Sequence, residues 1–137
     1  MDDYLAAEPL IVARLRDRLL SNVTVQSTWG MSKLQEHFDT PPAVLILLEE
    51  DRPGEISLSG AAQKIEQVWT CIVVVKDAEN EAGPLISQVV QALNGWQPED
   101  TAFSPFKRVK SGFSHDYSPS TAFYFPLAFS TSFVFNV

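Results

Sequence analysis

Few side chains in this 137-residue sequence could do chemistry. One cysteine, Cys71, and two histidines, His37 and His115, are all that a thiol–imidazole pair could be built from. A reactive cysteine needs an accessible, electropositive setting that holds it as thiolate. Cys71 lies instead within VWTCIVVV, a strand-like apolar run, so a buried, reduced thiol is the simplest account. Having no second cysteine, the chain cannot form an internal disulfide.

His115 followed by Asp116 invites a metal or acid–base reading, but zinc sites need three or four convergent ligands at spacings absent here. Glu49, Glu50 and Asp51 form an acidic cluster that would hold a cation only weakly, and such a run at a strand end is usually a solvated tip. No GxxxxGK[ST] or GxGxxG occurs, which leaves nucleotide binding without support. Lys107-Arg108-Val109-Lys110 is the one concentration of positive charge; it either decorates a strand edge or meets an acidic neighbour, including another copy of the chain. The residues therefore point to no catalytic, cofactor or metal site, and by exclusion to binding or assembly.

Ten Lys and Arg against 17 Asp and Glu give a net charge of −7, a balance that repels polyphosphate and disfavours nucleic-acid binding by the monomer surface. No apolar run is long enough to span a bilayer. The N-terminus MDDYLAAEPL opens with acids where a secretory signal needs a basic start, so a cytoplasmic protein is expected. Length and composition suit one domain over residues 1–137.

The elements that must position these residues follow from periodicity. Leu5, Ile11, Val12, Leu15 and Leu19 predict an amphipathic helix within 4–20, regular from near Glu8 because Pro9 is tolerated only in a first turn. VTVQSTW (23–29) predicts a weak strand, SKLQEHF (32–38) a helical turn, and AVLILL (43–48) a central strand apolar on both faces. DRPGEISLSG (51–60) reads as a long exposed connection. QKIEQVWTCIVVVK (63–76) reads as a long strand whose polar first half projects from the sheet edge and whose buried second half pairs with 43–48. Residues 81–96 carry the clearest helix, with Gly83-Pro84 at its start, an apolar stripe through Leu85, Val89, Ala92 and Trp96, and Asn94-Gly95 as cap. FKRV (106–109) predicts a strand and 111–122 a loop. The tail FYFPLAFSTSFVFNV, with Phe or Leu at most alternate positions, predicts a closing strand whose odd face the helices cover. Trp69 should cap the core, and Trp96, just past a helix end, should sit at the core rim or at an interface, the rim being favoured. The fold class expected is α+β: two layers, a mostly antiparallel sheet with two main helices on one face.

The stretch GAAQKIEQVWTCIVVVKDAENEAGPLISQVVQALNGWQP resembles the tail-terminator, or tail-completion, proteins of Mu-like and related long-tailed phages and prophages. Gly60, Gln63, Glu66, Gln67 and Trp69 carry the likeness, with Ala82-Gly83-Pro84-Leu85, Ala92-Leu93, Gly95-Trp96 and Pro98, then Tyr124 and Pro126-Leu127-Ala128-Phe129. EPLIVARLRDRL near the N-terminus fits too, so the resemblance spans nearly the whole chain.

The resemblance implies a structural subunit that forms a ring, six copies at a time, on the end of the tail tube. That ring stops tube polymerisation and provides a docking surface for head-completion and connector proteins. It implies no enzyme activity and no cofactor, DNA passing through the ring without specific binding, no membrane, and residence in the host cytoplasm during assembly and then in the virion tail. The candidate interface residues are Glu49, Glu50, Asp51, Arg52, Lys64, Glu66, Lys107, Arg108 and Lys110. An acidic tip at 49–51 could meet the basic stretch 107–110 across subunits, and strand 63–76 could pair or pack with a neighbour. The alternatives are another head–tail joining or ring-forming assembly protein and, last, a small enzyme using Cys71 or His115.

Overall fold

Alternating apolar residues build three 14-residue strands, and these organise everything else. The computed structural model describes residues 3–28, 41–99, 102–114, 116–117 and 122–136. In chain order they give α1 (Ala7–Arg18), β1 (Thr24–Ser27), β2 (Ala43–Ile56), β3 (Ala62–Val75), a π-helical turn (Ala78–Ala82) running into α2 (Gly83–Leu93), β4 (Lys107–Val109), β5 (Asp116–Tyr117) and β6 (Phe123–Asn136). The sheet runs β1-β2-β3-β6-β4, with two-residue β5 also on β6. Only β1 with β2 is parallel; every other pairing is antiparallel. This is the α+β layout expected from the pattern.

The helices share one face. Ala7, Ile11 and Leu15 of α1 and Leu85, Val89, Ala92 and Leu93 of α2 join Val44, Ile46, Trp69, Cys71, Val73, Leu127, Phe129 and Phe133 in one core. Of the odd residues of β6, Leu127, Phe129 and Phe133 are buried in this core and Phe123, Phe125 and Phe135 pack partly buried against it, the face that their period of two marked. Two arginines of α1 fasten the layer. Arg14 donates to the Ala92 carbonyl at 2.9 Å with its guanidinium 5.2 Å from the Trp96 ring centre, and Arg16 donates twice to the Val25 carbonyl. Burial first, then the neighbouring Arg18, lowers the Arg14 pKa. Trp96 stacks on Phe106 at the core rim, and Trp69 is fully buried. On the opposite face a smaller cluster of Ala43, Leu45, Ile72, Val74 and Ala122 explains why AVLILL is apolar on both sides.

Two expectations are corrected. Residues 51–56 are not loop: β2 continues through Asp51-Arg52-Pro53-Gly54-Glu55 to Ile56, so Glu49, Glu50 and Asp51 sit within a strand rather than at its end. Turn-type composition misled because an outer-edge strand tolerates what a central one does not. Register shifts between Leu48 and Glu50 and between Pro53 and Ile56 absorb the irregular residues. Gly54 is required at the second, since a Cβ there would stand 2.9 Å from the Lys64 carbonyl oxygen. The polar half of β3 is also not at a sheet edge, because β2 and β6 flank it along its length, from Ala62 opposite Asn136 to Val75 opposite Phe123. Pairing of β3 with a neighbouring subunit is therefore excluded. A smaller difference is β5, a two-residue bridge inside the loop expected over 111–122. The helical turn expected at 32–38, Trp29, His37 and His115 lie outside the described residues.

Candidate assembly surfaces

Past the helices the outer halves of β2, β3 and β6 continue as a three-stranded arm closed by the turn Ser57–Ala61. Strand alternation gives the arm two unlike faces. On the helix side, Tyr4 packs edge-on against Phe133 and Phe135 and donates its hydroxyl to both Asp51 carboxylate oxygens at 3.0 and 3.1 Å. Buried Gln67 donates to Asp51 Oδ1 at 3.2 Å and accepts the Trp69 indole N–H at 3.2 Å. Partial desolvation, then the Asp51 carboxylate, raises the Tyr4 pKa. Asp51 is thus committed to holding the N-terminal segment on the arm.

On the other face Arg52 bridges Glu50 and Glu66, 2.8 Å from Glu66 Oε1, with all three side chains about half exposed. Those two bonds, Glu50 first, raise its pKa. Lys64 is exposed nearer the tip on the same face. Glu49, turned by the bulge, accepts from Thr70 Oγ1 (2.8 Å), Ser111 Oγ (2.6 Å) and the Gly112 N–H (3.0 Å), pinning the segment after β4 across the back of the sheet. The acidic run is therefore three separate functions: Glu49 an internal tie, Asp51 a clasp, and Glu50 one end of a surface ion-pair triad.

The turn at the arm's end is tightly tied. The Ser57 N–H donates to the Ala62 carbonyl (2.7 Å), Gly60 N–H to the Ser57 carbonyl (2.8 Å) and Ala62 N–H to Ser57 Oγ (3.1 Å), while Gly60 takes φ +72°. This rigid turn holds Leu58 wholly in solvent, close in sequence to Ile56 at 55% exposure; Val134 of β6, on the other face of the arm, is 49% exposed.

At the opposite side of the sheet lies the basic strand. Lys107, Arg108 and Lys110 are exposed, and β4 is held by β6 and by Asn94 Oδ1, which accepts the Arg108 N–H at 3.1 Å. Between β4 and β5, on the outer edge of β6, is a groove of about 320 Å³ with Val109, Phe113, Phe125 and Pro126 among its walls and Arg108 and Lys110 at its rim. Phe113 is 43% exposed. The fold thus brings Arg52 together with Glu50 and Glu66, and sets the Lys107–Lys110 strand across the sheet from all of them. Exposed apolar residues that the sequence did not single out are Ile56, Leu58 and Phe113, each isolated among polar neighbours and so without a periodic signal, and Val134, on the face of β6 opposite Phe133 and Phe135.

Cys71 is enclosed in the core opposite Ile46 and Leu127, and burial pushes its pKa up to about 12, the reverse of nucleophile activation. Among the described residues no three His, Cys, Asp or Glu converge as metal ligands, and no helix is long and apolar enough to cross a membrane.

Over residues 1–137 the chain matches the family described as phage tail terminator protein. No curated protein matches it.

Proposed function

The chain belongs to the phage tail terminator family, and from that membership we propose that six copies close into a ring on the end of the finished tail tube. The ring blocks addition of further tube subunits and offers a platform to head-completion and connector proteins. It works by shape and charge, with no catalytic step and no cofactor. Assembly takes place in the host cytoplasm, and the ring stays in the virion tail. The excess negative charge weakens contact with phosphates, which suits a channel through which DNA must slide without specific binding.

One observation carries this reading. A closed ring needs two different, complementary patches on each subunit. Strand β2 carries four acids, Glu49, Glu50, Asp51 and Glu55, against the single cation Arg52, and so stays net negative after its internal pairs, while the β4 side bears Lys107, Arg108 and Lys110. Such edges repel like edges and attract unlike ones, fixing head-to-tail order. Pro53, two bulges and several charges make the outer β2 edge poor at adding a foreign strand, so contact through side chains is favoured over sheet extension.

Negative-stain images of the protein mixed with purified tail tubes test the proposal. Rings at one tube end, with tube length arrested, are expected. Binding along the tube walls, or continued tube growth, would refute termination. Assembly that survives simultaneous reversal of Lys107, Arg108 and Lys110 to Glu would remove the charged-edge account.

A further inference from the structure

Resting on that ring reading, we propose that the contact between neighbouring copies is the arm's turn seated in the groove between β4 and β5 of the next subunit. The two surfaces match in chemistry. The turn presents Leu58 and Ile56 with Glu55 beside them. The groove presents apolar walls at Phe113, Phe125 and Pro126 under a cationic rim of Arg108 and Lys110. Its size, about 320 Å³, accommodates a few aliphatic side chains.

Both surfaces are ordered before they meet, so little conformational freedom is lost on docking. Ser57 and Gly60 lock the turn, while Glu49 fixes Ser111 and Gly112, directly before Phe113. The similar groove lined by Leu20, Pro42 and Leu85 carries Glu81, which would repel Glu55. No chain can satisfy itself: the tip lies level with Phe135 of β6 and the groove level with Phe125, ten residues or roughly 33 Å along the strands and on the other side of the sheet. Because tip and groove differ, the contact passes from copy to copy, the relation from which closed rings are built.

Disulfide trapping tests this. Leu58→Cys and Phe113→Cys variants are purified separately, mixed at high concentration with and without tail tubes, and mildly oxidised; the enclosed native Cys71 does not compete. Covalent dimers should form in the mixture and not in either variant alone, and the double variant should give a ladder ending at ring size. Leu58→Asp should weaken ring assembly on the order of tenfold or more. Rings visible in negative stain without mixed dimers, or Leu58→Cys trapped on the tube protein instead, would overturn the tip-in-groove contact and leave the ring reading standing. No rings in either setting would overturn both.

Discussion

The inner and outer halves of β2, β3 and β6 are the same strands used in two ways. Over 43–48, 68–75 and 123–130 both faces are covered, and apolar side chains fill them. Over 50–56, 62–67 and 131–136 one face still holds Ile65, Phe133 and Phe135 beneath Tyr4, while the other carries ion pairs in water. Continuous ladders let the packed half support the projecting half, so an exposed tip is held rigidly without a core of its own. On the proposed reading, stability and recognition are thereby separated along one set of strands.

The most severe way to break this comparison is Phe129→Ala in the packed half. It should cost about 3–5 kcal/mol of unfolding free energy in urea titration, since the ring is fully enclosed. Alkaline titration tests the same half more gently. The Cys71 pKa is raised from 9.0 to about 12 in the folded state, so the unfolded chain loses that proton first. Stability should hold below pH 9 and fall as pH rises toward 12, by about 1.4 kcal/mol per unit from this group. Cys71→Ala, whatever its baseline, should show a shallower decline between those limits.

At the junction of the halves, Glu49→Ala removes the acceptor shared by Thr70, Ser111 and Gly112 and should cost about 1–3 kcal/mol. It should also raise amide exchange at Gly112 and Phe113 ahead of global unfolding. The smallest effect on folding belongs to the tip. Leu58→Ser should leave unfolding free energy within about 0.5 kcal/mol of the parent, because the side chain is already in solvent. Ring formation assayed on tubes should nevertheless weaken, though less than for Leu58→Asp, and a Leu58→Ser protein that caps tubes normally would dissolve the division of labour between the halves.

Much of the fold was legible because burial imposes a period. The tail's alternate Phe residues, the stripe of α2 and the two-sided apolar run AVLILL each state which faces are covered, and the helices and strands formed there. Residues 51–56 were misread since Pro53 and Gly54 resemble turn chemistry until one knows that the strand is an outer one. The candidate surfaces were half legible. Charge placed Lys107, Arg108 and Lys110 together because they are neighbours in sequence, but Arg52 meets Glu66 only through the β2–β3 register, 14 positions away.

The sequence by itself determined the class of the molecule: alternation and helical stripes demand a covered sheet, and the apolar run around Cys71 places that thiol inside a strand. Tertiary structure alone decided how the acidic run divides, with Glu49 turned inward by a bulge, Asp51 clasping Tyr4 and Glu50 left to the surface. It also decided that Leu58 and the Phe113 groove stand at opposite corners of one sheet. The reason is physical. Burial acts on every residue of an element and so writes a repeating pattern, whereas a surface is assembled from single residues whose proximity depends on strand order and register.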